Sequence, residues 1–455
     1  MTYHITTYGC QMNTSDSERI ASVLEQNLGL KQAPEARADI LVYNLCSVRQ
    51  TAVNRVWGNF KKTRGKRQPL IIFTGCILPP DQEKIRQKNC LVLDIKDLPR
   101  WPSLIIPHLT KNNEVIKQYN NLIIKQSKNK NQNYLRIQPQ YSSSFTAYVP
   151  IMTGCNNFCS YCAVPYTRGR EVSRPVEEIM TEISDLTSRG YREIILLGQN
   201  VNSYNSPVTN YELRVTKKNI NFPSLLHLID QIKGDFWLTF FTSHPKDLSP
   251  ELIACFQNSK HLIPYLHLAL QSGSNKILKV MNRKYTGQHF VELIKKVRAA
   301  SPDICVSTDI IVGFPGETQR DFLATATLMK KVRFDMAYLA EYSPRPLTVA
   351  ARLEDDIPTK EKTNRKNILN EILKTTALSN NQKMVNQTTE VLVSSADKNF
   401  LFGRTKNFKN VKIITSNKQQ TINNKKIIGQ FVKIKITKAT AWNLEGELTS
   451  VGSGL

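Results

Sequence analysis

The sequence predicts an α/β protein in three parts: an N-terminal parallel α/β sheet, a central partial (β/α)6 barrel and a C-terminal small antiparallel β-barrel. Short apolar strands alternate with helical stretches over residues 1 to about 110 and again from about 145 to 345, which is typical of parallel sheets. In the last seventy or so residues apolar and polar positions alternate, which favours a small barrel. A chain of 455 residues is also too long for one ordinary core.

Three predicted strands of the N-terminal part each lead to a cysteine. The strands and their cysteines are Tyr3–Tyr8 with Cys10, Asp39–Tyr43 with Cys46, and Leu70–Phe73 with Cys76. Because ligands of parallel α/β sheets lie outside the carboxyl ends of the strands, we expect these thiols to converge on one site. The alternative is that they are buried, inert thiols, as we expect for Cys90, Cys255 and Cys305, which lack this context.

Residues from about 111 to 141 are polar, rich in Lys, Asn and Gln, and without a core-forming pattern. We therefore expect an N-terminal domain over 1–115, a linker over 116–141, a central domain over 142–375 and a C-terminal domain over 380–449.

Six strands are expected in the central part, separated by helical patterns such as Val176–Ser188. They are Tyr148–Met152, Glu193–Leu197, Phe236–Phe241, Tyr265–Leu270, Cys305–Ile311 and Phe334–Leu339. Six strand–helix units predict an incomplete parallel barrel with its sites at the carboxyl ends of the strands. A helix from about 359 to 380 follows, and then the alternating strands Thr389–Val393, Asn410–Ile414 and Gln430–Ile436.

The composition narrows the class of protein. The net charge of +25, from 62 basic and 37 acidic residues, attracts polyanions, although a lysine-rich, solvated surface is the alternative explanation. No apolar run approaches the length of a membrane span, and the N-terminus lacks a signal pattern, so we expect a cytoplasmic protein without a membrane partner. In that compartment the nine cysteines stay reduced, and those that cluster favour metal binding or catalysis.

A tight cysteine triplet follows the first strand of the central part. Cys155, Cys159 and Cys162 have the spacing C-x3-C-x2-C, which places three thiolates on one loop. Three thiolates can hold three irons of a four-iron cube and leave the fourth iron open to a small chelating ligand. A structural zinc site is the alternative, but such a site normally has four ligands.

This triplet, with the aromatic Tyr161 before its last cysteine, resembles the radical S-adenosylmethionine superfamily. The resemblance implies that the open iron binds S-adenosyl-L-methionine and that Tyr161 lies near the adenine. It also implies cofactor contacts from turns after the second, fourth and fifth barrel strands, where glycines permit close backbone approach. The residues are Gly198, Gln199, Asn200, Gln271, Ser272, Asp309 and Gly313.

The whole chain resembles the methylthiotransferase family of radical S-adenosylmethionine enzymes, most closely its members that act on isopentenylated adenosine in tRNA. The matching segments include Thr7–Asn13, Cys46–Arg49, Thr74–Cys76, Val149–Cys155, Val164–Glu171, Leu197–Tyr204, Thr242–Pro245, Tyr342–Pro346 and Gly403–Thr405. The chain departs from the family pattern at Leu45, Thr239, Ala269 and Leu347, the last in place of a usual glycine.

The resemblance implies two [4Fe-4S] clusters, a radical-generating one on Cys155, Cys159 and Cys162 and an auxiliary one on Cys10, Cys46 and Cys76. The implied substrate is tRNA with an isopentenylated adenosine 3′ of the anticodon, bound with help from a C-terminal TRAM domain. An electron donor and a sulfur or iron–sulfur supply system are further implied partners, and a monomer is expected.

Three alternatives stay open. Related enzymes modify threonylcarbamoyladenosine in tRNA or an aspartate of a ribosomal protein, and a non-catalytic iron–sulfur RNA-binding sensor is a different class.

The roles of three arginines after the triplet also stay open. Arg168, Arg170 and Arg174 either meet phosphates or the cofactor carboxylate, or are solvated or salt-bridged. We expect His244, beside Pro245, to be a structural turn residue.

Overall fold

The computed structural model describes residues 1–46, 54–58, 69–109, 133–207, 219–397, 400–414 and 426–451. The predicted α/β class and its three parts are confirmed: a parallel five-stranded sheet, a set of six parallel barrel strands and a closed five-stranded barrel.

The N-terminal sheet is parallel throughout, with strand order β2-β1-β3-β4-β5. Its strands are β1 Thr2–Tyr8, β2 Lys31–Gln32, β3 Ile40–Cys46, β4 Leu70–Cys76 and β5 Leu91–Val92. Its helices are α1 Gln11–Leu28, α2 Pro79–Arg86 and α3 Trp101–Leu109. Strand β3 is central and every one of its residues is buried, which agrees with its almost wholly apolar sequence. Strands β3 and β4 run further than predicted, so Cys46 and Cys76 are their last residues.

Most of the predicted linker, residues 116–132, lies outside the described residues. In the remainder of it, Tyr134 and Leu135 are buried in the same N-terminal apolar cluster as Trp101, whereas Tyr141 packs on the apolar cluster of the central part. A short 3-10 helix, Tyr134–Arg136, holds Tyr134 and Leu135 in the N-terminal cluster.

The central part consists of two three-stranded parallel sheets, β6-β9-β12 and β13-β14-β15. Its main strands are β6 Thr146–Pro150, β9 Glu193–Leu197, β12 Trp237–Phe241, β13 Tyr265–His267, β14 Cys305–Val312 and β15 Met336–Glu341. Isolated parallel bridges, Leu238 with Leu262 and Ser243 with Leu268, join the two sheets. Within the described residues no pairing joins β6 to β15, so the predicted partial (β/α)6 barrel is confirmed.

The fourth strand is shorter than predicted. Regular pairing of β13 stops at His267, and the predicted continuation to Leu270 makes only single bridges. The left-handed backbone of Gln271, with φ of 71°, turns the chain at this point. Two antiparallel pairs that the sequence did not predict lie beside the barrel, β7 Met152–Thr153 with β8 Val172–Ser173 and β10 Asn205–Pro207 with β11 Asn219–Asn221.

Helices cover the outside of the barrel strands, and the predicted helix Val176–Ser188 has those bounds. The helices are α4 Val164–Thr167, α5 Val176–Ser188, α6 Phe222–Asp230, α7 Pro250–Asn258, α8 Asn275–Val280, α9 Gly287–Ala300, α10 Gln319–Val332 and α11 Thr359–Gln382. One large apolar cluster lies between these helices and the strands. No helix in the described part of the chain is long and apolar enough to cross a bilayer.

The C-terminal part is a closed barrel with strand order β16-β17-β18-β20-β19. Its strands are β16 Thr388–Ala396, β17 Phe400–Thr405, β18 Asn410–Ile414, β19 Phe431–Ala439 and β20 Leu444–Val451. Four of its neighbouring pairs are antiparallel as expected, whereas β18 and β20 run parallel and close the barrel.

This C-terminal barrel covers the amino ends of the central strands. Phe431 packs on Trp237, with ring centroids 4.8 Å apart, and Phe408 stacks on Tyr265 at 4.5 Å. The carboxyl ends of the central strands, where sites of such barrels lie, therefore stay on the opposite side.

An ion pair adds to this contact. Arg404 Nη2 donates to Glu193 Oε2 at 2.6 Å, and Glu193 is 1% exposed. Arg404 lies in the Gly403–Thr405 segment that resembles a TRAM motif, so this arginine serves domain docking.

The Arg404–Glu193 pair gives a stability prediction. Replacing Arg404 by Gln leaves a buried carboxylate without its cation and should lower the free energy of unfolding by about 2 kcal/mol, less than for a fully buried pair because Arg404 is partly exposed. Thermal unfolding followed by circular dichroism measures this loss. Lys438→Gln is the matched control, since Lys438 is 67% exposed and 4.0 Å from Glu445. Equal melting temperatures for the two variants would contradict the assignment.

Candidate active site

The N-terminal cysteines converge at one edge of the sheet, as predicted. Cys46 and Cys76 are register partners on the neighbouring parallel strands β3 and β4, and both are buried. Cys10 follows β1 and is the N-cap of α1, where it is exposed. The three thiols therefore lie at the carboxyl ends of three adjacent strands.

Two asparagines position these thiols, although neither was predicted as a site residue from the sequence. The backbone N–H of Cys10 donates to Asn13 Oδ1 at 3.3 Å, and Asn13 Nδ2 donates to Asn44 Oδ1 at 2.9 Å. Asn44 Nδ2 donates in return to the carbonyl oxygen of Asn13 at 2.7 Å. Both asparagines are fully buried, so the start of α1 is fixed against the end of β3.

Glycines before the cysteines leave room for this amide pair. A Cβ at Gly75 would lie 2.4 Å from Asn44 Oδ1, and Gly75 has φ of 99°, which favours glycine. A Cβ at Gly9 would lie 2.2 Å from Asn13 Oδ1. The repeated Gly-Cys dipeptide was the available sequence signal for this packing.

An arginine from the central domain contacts the N-terminal thiols. Arg168 Nε donates to Cys76 Sγ at 3.0 Å, and Arg168 Nη2 pairs with Asp16 Oδ2 at 2.6 Å. The Arg168 side chain is 3% exposed, and that of Asp16 is fully buried. Of the two alternatives for Arg168, the structure favours the salt-bridged one, because its guanidinium points into the domain interface and pairs with Asp16.

The two neighbouring arginines, Arg170 and Arg174, also contact groups of the protein itself. Arg174 is buried and pairs with Glu182 and Glu178, so the salt-bridged alternative is correct for it. The Arg170 guanidinium lies 4.3 Å from the centre of the Phe158 ring, within the triplet loop.

The Cys76 thiol is acidic in this environment. Its hydrogen bond with Cys46 lowers its pKa to about 6 against the opposing effect of burial, and Arg168 adds to the lowering. A thiolate is the form that binds iron, so the pocket favours the metal-binding state of Cys76.

The central triplet loop is tied down on several sides. The Cys155 N–H donates to the carbonyl oxygen of Gly169 at 3.2 Å, and the Ser160 N–H donates to that of Met281 at 3.0 Å. Asn282 Nδ2 donates to the carbonyl oxygens of Asn157 and Phe158 at 3.3 and 3.0 Å. The loop is therefore held by the segment that follows helix α8.

A second arginine contacts this triplet. Arg283 Nη1 donates to Cys159 Sγ at 3.4 Å, while its Nη2 donates to the carbonyl oxygen of Ala269 at 2.6 Å. Arg283 Nε donates to the Tyr285 hydroxyl at 2.8 Å. Each cysteine set thus has one buried arginine that donates to a thiol, and Arg283 was missed because its sequence neighbourhood carries no recognisable motif.

Burial dominates the acidity of the central thiols. It raises the pKa of Cys155, and it raises the pKa of Cys162 to about 12, with the nearby Cys159 acting in the same direction. Burial also raises the pKa of Tyr161 well above its usual value. Tyr161 packs against an apolar cluster that contains Ile277 and Phe314, so it lines the apolar side of the triplet.

The turn after β9 holds three predicted cofactor residues. Asn200 is committed to the chain itself: its Nδ2 donates to Asp247 Oδ2 at 2.7 Å and its Oδ1 accepts from the His244 N–H at 3.2 Å. Gly198 is required by packing, since a Cβ there would lie 2.6 Å from Met152 Cγ. Gln199 Oε1 is buried and has no hydrogen-bond partner among the described residues.

Of the other four, Gln271 and Ser272 follow β13, Asp309 lies within β14 and Gly313 follows β14. Ser272 Oγ accepts from the Ser274 N–H at 3.2 Å, and a Cβ at Gly313 would lie 2.3 Å from Lys362 Cγ. The glycine in this turn therefore admits a side chain of the protein itself. Asp309 Oδ2 pairs with His267 Nε2 at 3.1 Å and its side chain is 34% exposed, while Gln271 is buried with the left-handed backbone noted above.

The departures from the family pattern have local consequences. Leu347, in place of the usual glycine, has φ of 71°, a conformation that costs a side-chain-bearing residue about 1–2 kcal/mol. Ala269 contributes its backbone oxygen to Arg283, as described above, and Leu45 is buried beside Cys46. Thr239 is buried, and its Oγ1 lacks a hydrogen-bond partner in the part of the chain that the structure describes.

The two cysteine sets open on the same end of the barrel. Met12, close to Cys10, packs with Ile195 and Leu197 of strand β9. Burial lowers the pKa of Arg345, which follows β15, while the charges of Asp81 and Cys46 oppose this effect, so Arg345 lies near the N-terminal thiols. The N-terminal domain therefore covers the carboxyl ends of the barrel strands.

The donor sets suit iron–sulfur clusters better than a single ion. In the described ranges, no three or more His, Cys, Asp or Glu side chains group tightly enough to hold one metal ion, so the zinc alternative finds no ligand set there. Cluster thiolates instead bind separate irons, and N–H donors to sulfur, as Arg168 and Arg283 provide, are a regular feature of such sites.

Three family models match separate parts of the chain. They are the Radical SAM superfamily at residues 149–329, the Uncharacterized protein family UPF0004 at residues 2–94 and the TRAM domain at residues 382–449. Together with the two cysteine sets they define a radical SAM protein with an additional cysteine-bearing N-terminal domain.

Full-length relatives of known name show to which family of radical SAM proteins the chain belongs. The chain is 40% identical to the tRNA-2-methylthio-N(6)-dimethylallyladenosine synthase of Thermoanaerobacter sp. (strain X514), covering 99% of this chain and 93% of that protein. It is 39% identical to the synthase of the same name from Carboxydothermus hydrogenoformans, covering 98% and 99%. The synthase from Clostridium novyi is 38% identical, with 98% and 96% covered. The chain belongs to the family of the tRNA-2-methylthio-N(6)-dimethylallyladenosine synthases, which confirms the resemblance that the motifs indicated.

Among solved structures, the radical S-adenosylmethionine methyltransferase TsrM from Kitasatospora setae aligns with a TM-score of 0.47 at 10% identity, covering 77% of each chain.

His244 illustrates how the site is held. As expected, it is a structural turn residue: it is buried, is the N-cap of the short 3-10 helix Pro245–Asp247, and accepts from the Lys246 N–H through Nδ1 at 3.2 Å. Burial, with the nearby cations Arg283 and Lys246, lowers its pKa to about 2, so His244 is neutral in the fold.

The neutral His244 gives a pH prediction. Below pH 6.5 the unfolded chain binds a proton at this histidine that the folded chain does not, so His244 should contribute a loss of stability as pH falls from about 6.5. His244→Asn keeps a side chain that can cap the turn and removes this titration. Thermal melts between pH 5 and 8 should therefore show a shallower acid-side loss for the variant than for the wild type. Parallel curves would exclude a neutral, buried His244.

Proposed function

We propose that this chain is a tRNA methylthiotransferase that converts N6-isopentenyladenosine 3′ of the anticodon into 2-methylthio-N6-isopentenyladenosine. The observation that carries the proposal is the placement of two three-cysteine sets at the same end of one barrel, with Arg168, shortly after the triplet, donating to Cys76 of the other set. The three matched domains and the full-length relatives support the same activity.

The cysteines are proposed to hold the two cofactor clusters. Cys155, Cys159 and Cys162 would bind the radical-generating [4Fe-4S] cluster, and Cys10, Cys46 and Cys76 the auxiliary one. When bound, the first cluster with S-adenosylmethionine supplies a 5′-deoxyadenosyl radical, and the second supplies the sulfur that is methylated and transferred. The C2–H bond of adenine has no useful acidity, so general acid–base groups of the protein alone would not activate it.

Other residues are proposed to orient the cofactor. Gln199, with its unpartnered buried oxygen, and the partly exposed Asp309 are the best-placed polar contacts, and Tyr161 lies beside the triplet for the adenine. Gln271 supplies a further polar group. Gly198, Asn200, Ser272 and Gly313 shape the turns that carry these contacts, since their own groups serve hydrogen bonds and packing within the chain.

The proposed partners follow from this chemistry. The substrate is tRNA with its target base taken out of the stack, the usual way to reach a base for chemistry. An electron donor must reduce the clusters, and a sulfur or iron–sulfur supply system must restore the auxiliary one. We further propose a cytoplasmic monomer with domains at 1–115, 142–375 and 380–449, in which Tyr134 and Leu135 of the connecting segment pack on the N-terminal core.

The decisive experiment is an anaerobic assay of the reconstituted full chain. With reductant, S-adenosylmethionine and isopentenylated tRNA, nucleoside mass spectrometry should detect the methylthio product. Cys76→Ala should abolish this product but keep 5′-deoxyadenosine formation, while Cys159→Ala should abolish both. Cys90→Ala, a buried thiol of the same domain outside the site, is the matched control and should keep both.

Iron counting separates the alternatives. The wild type should hold about eight irons, as expected for two cubanes. If a folded Cys76→Ala protein forms neither the methylthio nucleoside nor 5′-deoxyadenosine, the two cysteine sets are not separate sites. Intact clusters without 5′-deoxyadenosine formation would favour a non-catalytic sensor. Product only with threonylcarbamoyladenosine tRNA would reassign the substrate.

A further inference from the structure

Arg168 lies between the two cysteine sets: its side chain contacts Cys76, and the next residue, Gly169, accepts from the Cys155 N–H at 3.2 Å. Arg168 belongs to the central domain, where it follows the triplet loop and caps the C-terminal end of helix α4. Its guanidinium nevertheless contacts the N-terminal domain. There Nε donates to the Sγ atom of Cys76, which is the last residue of strand β4. A shift of the triplet loop and a shift of the Cys76 ligand are therefore mechanically linked.

The guanidinium is fixed in one orientation. Asp16 accepts from Nη2 at 2.6 Å, the Tyr134 hydroxyl lies 3.3 Å from Nη1, and Nε is left for Cys76 at 3.0 Å. The Arg168 and Asp16 side chains are almost wholly buried, so water does not compete for these donors. The planar fork allows three partners at fixed angles, which an ammonium group does not match.

A hydrogen bond to a ligand sulfur withdraws electron density from it, and such bonds are among the factors that set the reduction potential of iron–sulfur clusters. A charged donor in a site without water acts more strongly than a neutral one.

We propose that Arg168 is a positioning residue that sets the reduction potential of the auxiliary cluster and holds its Cys76 edge at a fixed place relative to the radical-generating triplet. This inference rests on the proposed function for the identity of the clusters. Asp16 serves the same role indirectly, by orienting the guanidinium.

The chain supplies a matched reference in Arg283. It donates to Cys159 Sγ in the other set and is also buried, but its remaining donors go to Ala269 and Tyr285 of its own domain. Arg168 should therefore act on the auxiliary cluster alone, and Arg283 on the radical-generating cluster alone.

The test measures each cluster by itself. Arg168→Lys is made in a chain whose Cys155, Cys159 and Cys162 are all Ala, so that only the auxiliary cluster is present, and Arg283→Lys in a chain with Cys10, Cys46 and Cys76 replaced by Ala. Redox titration followed by electron paramagnetic resonance gives the potential. Arg168→Lys should shift the auxiliary potential to more negative values, because the donor to Cys76 is lost while the positive charge is kept.

Reciprocal and neutral controls complete the design. Arg168→Lys in the chain that keeps only the radical-generating set should leave its potential unchanged, and Arg283→Lys should move it. Arg136→Lys, an exposed arginine paired with Glu178, should move neither potential. Tyr134→Phe, which removes the neutral contact at Nη1 without changing the charge near the cluster, should loosen the guanidinium and shift the auxiliary potential in the same direction as Arg168→Lys and by less.

Several results would overturn the inference. An unchanged auxiliary potential in a folded Arg168→Lys protein with full iron content would do so, and so would equal shifts of both clusters. If Arg168→Lys does not fold, as judged by circular dichroism, the Tyr134→Phe titration decides in the same way. A wild type that lacks methylthio product but shows the Arg168-dependent potential would refute the proposed function alone.

Discussion

The buried Arg168 guanidinium, held between Asp16 and Cys76, is the interaction on which the arrangement of the site depends. It brings a central-domain cation to the sulfur of an N-terminal cysteine. A charge buried without its partners is costly, so the interface that satisfies Arg168 also fixes how the two domains meet. A second buried ionic contact crosses the same interface: Arg19 of the N-terminal domain pairs with Glu182 of the central domain. Glu182 also pairs with Arg174 of its own domain.

The opposite end of the barrel is closed in a different way. Aromatic side chains of the C-terminal barrel, including Phe408 and Phe431, pack on the amino ends of the central strands, and Arg404 pairs with the first residue of β9. The C-terminal barrel therefore closes one end of the central barrel, and the cysteine-bearing domain covers the other end, where the polar groups of the strand ends lie.

The fold and the positions of the cysteines could be predicted from patterns that are local in the sequence. The C-x3-C-x2-C spacing and the strand-terminal positions of Cys46 and Cys76 are visible along the chain, as are the strand–helix alternations. The contacts that organise the site are long-range: Arg168 with Cys76 spans 92 residues, and Arg283 with Cys159 spans 124. No pattern in a single sequence pairs such residues, so the sequence left open whether Arg168 meets a phosphate or forms a salt bridge. Likewise, the parallel seam between β18 and β20 depends on barrel closure rather than on strand alternation.

The central claim is that the two cysteine sets lie together at the carboxyl ends of one barrel. The most direct measurement is the electron spin relaxation of the fully reduced protein, compared with the relaxation in the two variants that each retain one cysteine set. Two paramagnetic clusters close to one another relax faster than either does alone. The structure predicts faster relaxation in the wild type than in either variant. A wild-type signal equal to the sum of the two variant signals would contradict the shared site.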